Sequence, residues 1–252
     1  FRSLSSRPFG AAEMERGRNL AVLGRYGVGY DNVDVEAATA RGLPLVYTPF
    51  GPTESTAELA FLLIMAVARR LPRFERAARA NEWGLQAHPE LMGRELEGKT
   101  LGVVGFGRIG QRVAEMARLA LRMRILVYDP CVDAQHVALL GATRVDDLLT
   151  LAGQADVLTI HCPAGPETHH LIHSAVLRAM KPEAILVNTS RGPVVDEAAL
   201  IEALREGRLM GAGLDVFDPE PPAPDNPLLA MDNVVVLPHI GSFTHEGRRR
   251  MG

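Results

Sequence analysis

Short apolar runs and helix-patterned runs alternate along almost the whole of this sequence, and that alternation limits the possible folds more than any other feature. The apolar runs are "LAVLGRYG", "PLVYTP", "LGVVGF", "RILVYD", "DVLTIHC", "AILVNTS", "GAGLDVF" and "NVVVLPH", each bounded by Gly, Pro, Asn or Asp. They are continuously apolar, which is the pattern of a strand covered on both faces. Between most of them lie helical patterns such as "VDVEAATARG", "IGQRVAEMARLA", "VDDLLTLAG" and "DEAALIEALREG", several closing on a glycine (Gly42, Gly141, Gly207) suited to a left-handed cap. The order predicts an α/β fold, a doubly wound parallel sheet with helices on both faces.

One of these strand-to-helix junctions carries chemistry. "LGVVGFGRIGQRVAEMARLA" places Gly105, Gly107 and Gly110 as G-x-G-x-x-G directly after a predicted strand and at the opening of a helix. Gly105 permits the tight turn, Gly107 lets a pyrophosphate approach the backbone, and Gly110 lets the helix close on the strand. The next strand ends in Asp129, about 20 residues beyond Gly110, the spacing of an acid that binds an adenosine ribose. A carboxylate there repels a 2′-phosphate by about 4 kcal/mol at ~4 Å and an effective dielectric of ~20, which favours NAD over NADP. The expectation is a Rossmann dinucleotide site. A methyltransferase using the same fold for S-adenosylmethionine is the rival reading of the loop.

Such a loop names a cofactor and leaves the reaction open. Three residues stand where an open α/β sheet binds ligands, at the carboxyl ends of strands. Arg191 follows "AILVNTS", Glu220 follows "GAGLDVF", and His239 closes "NVVVLPH". Hydride exchange with a keto acid needs a cation for the carboxylate and carbonyl and a proton donor for the developing alkoxide. Arginine fits the first role through its planar fork, and histidine the second. In "FDPEPPAP" the stiff prolines around Glu220 would fix a carboxylate that orients His239 and favours its charged form.

With those residues in place the chain resembles the D-isomer-specific 2-hydroxyacid dehydrogenases, in particular phosphoglycerate dehydrogenase-like members. The resemblance rests on "RYGVGYDNVD", "TESTAELA", "GKTLGVVGFGRIG", "VYDP", "NTSRGPVVDEAAL", "GAGLDVFDPEPP" and "PHIGS". It implies that Arg191, Glu220 and His239 match the family's catalytic trio. It implies that Tyr26, Gly27 and Val28, with Arg191, lie by the substrate. It also implies that Arg108, Ile109, Asp129, Cys162, Pro163, Thr168, Thr189, Ser190, Asp215, Gly241 and Ser242 line the NAD site beside the three glycines. The activity implied is NAD-dependent interconversion of a D-2-hydroxy acid and its 2-keto acid, of the D-3-phosphoglycerate dehydrogenase type. A glyoxylate/hydroxypyruvate reductase and an NAD-sensing, corepressor-like binding protein are the alternatives. The long helix from Thr53 would contribute to a homodimer. Pro52 stands where many members have Asn.

Loss of periodicity over residues 81–99 divides the chain into an expected partial substrate domain, residues 1–94, and an NAD-binding domain, residues 95–252. The first is expected to be a truncated flavodoxin-like unit. The chain opens on Phe1 without an initiator Met and stops soon after "PHIGS", so a fragment is expected. A net charge of −3 gives no pull towards nucleic acid or anionic membrane. The longest apolar run, Leu59 to Ala68, is half a membrane span and reads as a buried helix. Two cysteines, Cys131 and Cys162, make no disulfide framework, and a cytoplasmic setting is expected. His161, at a strand end, reads as cofactor lining. The pair His169 and His170, with His173 and Cys162 nearby, lies in a predicted loop with no acid placed beside it, so no metal is expected. Arg248, Arg249 and Arg250 read as a solvated helix face, and Trp83 as a packing anchor.

Overall fold

The computed structural model describes residues 8–17 and 19–252, and backbone contacts divide the chain into two compact units, residues 1–55 with 242–252, and residues 56–241.

In the smaller unit, helix α1 (Ala11–Arg16), strand β1 (Leu23–Arg25), helix α2 (Val35–Ala40) and strand β2 (Leu45–Tyr47) form a parallel pair with two short helices. Met14, Leu23 and Ala38 make its small core. Asp34 caps α2 by accepting the Ala37 N–H at 2.8 Å.

The helical stretch expected from Thr53 to Ala80, which the larger unit takes in from Thr56, is two helices: α3 (Thr53–Ala68) and α4 (Leu71–Arg79). Pro72, in the first turn of α4, cannot continue the preceding helix, and Arg70 turns the chain in a left-handed conformation with φ 49°. Then follow β3 (Thr100–Val104), α5 (Arg108–Leu121), β4 (Arg124–Tyr128), α6 (Ala134–Leu139), β5 (Thr143–Arg144), α7 (Leu148–Gln154), β6 (Val157–Ile160), α8 (Ser174–Ala179), β7 (Ala184–Asn188), α9 (Glu197–Arg205), β8 (Leu209–Leu214) and β9 (Val234–Val236). The seven strands β3 to β9 form one sheet in the order β5-β4-β3-β6-β7-β8-β9, every pair parallel. The doubly wound sheet expected from the alternation is present. Gly42, Gly141 and Gly207 all take the left-handed conformation expected of caps.

The strands feed two cores with a period of two. Leu126, Leu158 and Leu186 face one cluster with Leu151, Leu177 and Leu200 from α7, α8 and α9. Ile125, Val127, Ile185 and Val187 face the other, with Ala60, Leu63, Ile64, Val113 and Ala117 from α3 and α5. Complete burial of one such leucine contributes about 1.5–3 kcal/mol. Helix α3 therefore packs on the sheet. Its Leu63 and Val67 lie over Gly213 and Gly211 of β8, where an added Cβ would stand 3.0 Å from each side chain.

Three local expectations change. The edge strand β5 was not foreseen, because two residues carry no periodicity. Trp83 is 75% exposed, its indole N–H donating to Asn81 at 2.9 Å, so among the described residues it is no packing anchor. The basic cluster lies on helix α10 (His245–Met251) of the smaller unit and is only partly a solvated face. Arg248 stacks over the Tyr26 and Phe243 rings, and Arg250 donates to the Gly51 carbonyl at 3.1 Å. No helix among the described residues is long and apolar enough to cross a membrane.

Candidate active site

Because the sheet is parallel, the carboxyl ends of all its strands meet one edge, and the order of strands reverses between β3 and β6. The glycine loop leaves β3 at that reversal. Gly105 has φ +88°, and an added Cβ would lie 2.6 Å from the Cys162 nitrogen, so the loop crosses directly against the chain leaving β6. At Gly110 a Cβ would meet the Gly105 carbonyl oxygen at 2.2 Å, which lets α5 start tight against the turn. At Gly107 an added Cβ meets nothing within 4 Å. The open space at Gly107 lies beside the N-terminus of α5, where the positive end of the helix dipole favours a phosphate. Arg108 and Ile109 form the first turn of that helix, and Ile109 packs into the core below.

Asp129, after β4, is built into the same loop. One carboxylate oxygen accepts the Phe106 N–H at 2.7 Å and the other the Cys131 N–H at 2.8 Å. A carboxylate has about four lone-pair positions, so capacity remains for a ribose diol.

After β6, His161 bonds Thr159 at 2.9 Å through Nε2, and burial pushes the imidazole pKa down to about 3. The ring is neutral at pH 7. Burial, with Asp129 adding to it, pushes the Cys162 thiol up to about 11. Pro163 and Thr168 close the following loop, the Thr168 hydroxyl donating to the Pro163 carbonyl at 2.7 Å.

Strands β7, β8 and β9 are neighbours, and they deliver the three residues singled out for chemistry. Beyond β7, Asn188 organises the turn: its carbonyl oxygen accepts from the Ser190 N–H and hydroxyl, and its amide donates to the Arg191 carbonyl at 2.8 Å. Thr189 Oγ1 is buried with no hydrogen-bond partner among the described residues. A buried hydroxyl left unpaired costs about 1–3 kcal/mol, which a bound polar group would relieve. Together with the open space at Gly107, this orphan hydroxyl fits a dinucleotide at this edge.

Beyond β8 the chain enters the proline-rich loop, with the Asp218–Pro219 and Glu220–Pro221 peptide bonds both cis. Both Glu220 carboxylate oxygens lie 2.9 Å from His239 Nδ1. His239 itself has φ 55°, a left-handed conformation rare for a side chain of this size. Asp215 holds it there. Its carbonyl accepts the His239 N–H at 2.9 Å, and its carboxylate accepts the N–H groups of Ile240 and Gly241, each at 2.8 Å. Asp215 is 1% exposed, and that burial raises its pKa against the lowering pull of the two N–H donors and of His239.

Two supporting residues escaped the sequence reading. An added Cβ on Gly192 would overlap the Phe217 carbonyl oxygen at 1.9 Å, so only glycine allows the Arg191 turn to rest on the Glu220 loop. Glu197 of α9 accepts the Asp218 N–H at 2.7 Å and the Asn226 amide at 3.0 Å, and burial raises its pKa. Both lie within "NTSRGPVVDEAAL", but what each touches is visible only once the loops are folded.

The remaining assigned residues lie in the smaller unit. The Tyr26 hydroxyl donates to the Arg248 carbonyl at 2.5 Å, Gly27 donates to Thr48 Oγ1 at 3.0 Å, and Val28 is exposed. Ser242 belongs to this unit as well, and its carbonyl accepts the Thr244 N–H at 3.0 Å.

Comparison with known proteins bears on this arrangement. Residues 61–241 match the family described as D-isomer specific 2-hydroxyacid dehydrogenase, NAD binding domain. The chain is 47% identical over 250 residues to glyoxylate reductase of Korarchaeum cryptofilum, covering 99% of this chain and 75% of that one. It is 45% identical over 242 residues to D-3-phosphoglycerate dehydrogenase of Archaeoglobus fulgidus, covering 96% of this chain but 45% of that one. The holo structure of D-mandelate dehydrogenase from Rhodotorula graminis superposes with a TM-score of 0.89 at 36% identity, covering 98% of this chain and 73% of that one.

Proposed function

The chain belongs to the D-isomer specific 2-hydroxyacid dehydrogenase family and carries its NAD-binding domain, and from that premise we propose that it interconverts a D-2-hydroxy acid and its 2-keto acid. The observation that carries the proposal is the Glu220–His239 contact at 2.9 Å, between the segments that follow β8 and β9, with Arg191 following β7 at the same edge of the sheet.

NAD, when bound, supplies the hydride acceptor or donor. Gly105, Gly107 and Gly110 would hold its pyrophosphate with Arg108 and Ile109, and Asp129 its adenosine ribose. His161, Cys162, Pro163, Thr168, Thr189, Ser190, Asp215, Gly241 and Ser242 would line the rest. In the oxidative direction His239 takes the substrate hydroxyl proton at Nε2, since Nδ1 faces Glu220. Glu220 fixes the ring and stabilises the positive charge that the transferred proton brings. Arg191 holds the substrate carboxylate and polarises the carbonyl oxygen. Tyr26, Gly27 and Val28 are assigned to the substrate on the family resemblance. On the same functional grounds residues 1–94 serve the substrate and 95–252 the cofactor.

The finer reading is a D-3-phosphoglycerate dehydrogenase-like activity, which the Archaeoglobus relative supports. The Korarchaeum relative, matched over more of its length, supports glyoxylate/hydroxypyruvate reduction as the second reading. A homodimer in the cytoplasm completes the proposal. Exposed Leu62, Leu71 and Trp83 on and just after α3 and α4 support self-association.

NADH oxidation against 3-phosphohydroxypyruvate, hydroxypyruvate, glyoxylate and pyruvate tests it. One acid turned over well above the others identifies the substrate. NADH binding with no turnover of any acid overturns the enzymatic reading in favour of a corepressor-like binding protein.

A further inference from the structure

The sequence reading set aside a metal at His169 and His170 because no acid stood beside them. Folding supplies one. Among the described residues, His169, His170 and Asp218 each present a ligand atom, and these atoms all lie within 4.8 Å of one another. We infer that these three side chains form a binding site for a divalent transition metal of the zinc type, joining the loop after β6 to the loop after β8. The site uses none of the residues assigned to substrate or cofactor.

The donor set decides the class of ion. Two imidazoles and one carboxylate suit Zn²⁺, Co²⁺ or Ni²⁺, whereas Mg²⁺ and Ca²⁺ favour oxygen alone. Tetrahedral zinc with bonds of about 2.0–2.1 Å needs its ligand atoms about 3.3 Å apart. Rotation of exposed side chains closes the remaining gap. The two imidazoles already lie together, with ring centroids 4.0 Å apart and planes at 25°. All three residues are exposed, so an ion can enter and water can complete its shell.

The backbone beneath the ligands is tied down on both sides, and both halves hang on one segment. His170 is held at φ 49° and donates its N–H to the Pro193 carbonyl at 2.8 Å. Two residues on, Ile172 donates to the Val194 carbonyl at 3.0 Å. On the other side, Gly192 presses on Phe217, and the Asp218 N–H is fixed by Glu197 at 2.7 Å. Residues 192–197 therefore set the separation of the histidines from the carboxylate before any ion arrives. Preorganisation of this kind reduces the ordering cost of binding.

The test is titration of the EDTA-treated protein with Co²⁺, read by its visible absorption bands, and with Zn²⁺ in competition with a chromophoric chelator. One ion per chain is expected. His169→Ala, His170→Asn and Asp218→Asn should each weaken binding by at least about tenfold. Asn at 170 tolerates the left-handed backbone, so that variant keeps the loop. Unchanged far-UV dichroism and NADH fluorescence would show that the variants fold. Zn²⁺ should also raise the thermal midpoint of the unmodified protein and not that of the variants. Absence of stoichiometric binding, or binding indifferent to all three substitutions, overturns the inference.

Discussion

The Asp215 carbonyl accepts the His239 N–H at 2.9 Å while the Asp215 carboxylate accepts the two N–H groups that follow it, at Ile240 and Gly241. One buried acid at the end of β8 thereby fixes the turn that carries the histidine from β9. Asp215→Ala leaves one buried and one part-buried donor without their acceptor and should cost about 2–5 kcal/mol in a urea titration. Turnover should fall by up to about 10²-fold as the ring loses its position. A stable variant with full activity would show that the turn holds itself.

Gly192→Ala tests the contact between the Arg191 turn and the Glu220 loop. The added methyl overlaps the Phe217 carbonyl, so one of the two loops must move. Overpacking against backbone should destabilise by about 1–3 kcal/mol and lower kcat at unchanged NADH affinity. Wild-type kcat in this variant would remove the contact from the account.

The orphan hydroxyl of Thr189 makes opposite predictions for the two states of the protein. Thr189→Val removes a buried polar atom without a partner, so the ligand-free protein should gain up to about 1–3 kcal/mol in stability. NADH, measured by fluorescence titration, should bind less tightly. Tighter or equal NADH binding would show that the hydroxyl meets no cofactor group.

Burial at His161 makes stability depend on pH. Its folded pKa of about 3 lies below the ordinary value of 6.5, so the unfolded chain takes up the proton first as pH falls. This residue's contribution is complete above pH 6.5 and is lost progressively towards pH 3. His161→Gln should flatten the dependence between pH 7 and 4.5 by on the order of 1 kcal/mol, measured by urea midpoints. Parallel pH profiles for the two proteins would contradict it.

Much of this was legible in the sequence because it is local. Apolar strands, the G-x-G-x-x-G turn after "LGVV" and the cap glycines each carry their signature within a few residues. Arg191, Glu220 and His239 were readable because each comes after a recognisable strand, and parallel strands share one ligand-binding edge. What escaped depends on contacts between distant segments. Gly192 is an ordinary loop glycine until Phe217 lies against it. Asp218 is an ordinary turn acid until Glu197 holds it opposite His169 and His170. The split of the long helical stretch was available locally in Pro72. The packing of α3 on β8 needed Gly211 and Gly213 to be seen as room for Leu63 and Val67.

The proposed reaction stands or falls on His239 moving the proton. Its most direct test is steady-state turnover of His239→Ala with the best 2-keto acid, beside NADH affinity for the same variant. In this variant kcat should fall about 10²–10⁴-fold with NADH binding unchanged. Undiminished turnover would contradict it and leave the Glu220–His239 pair as a structural contact alone.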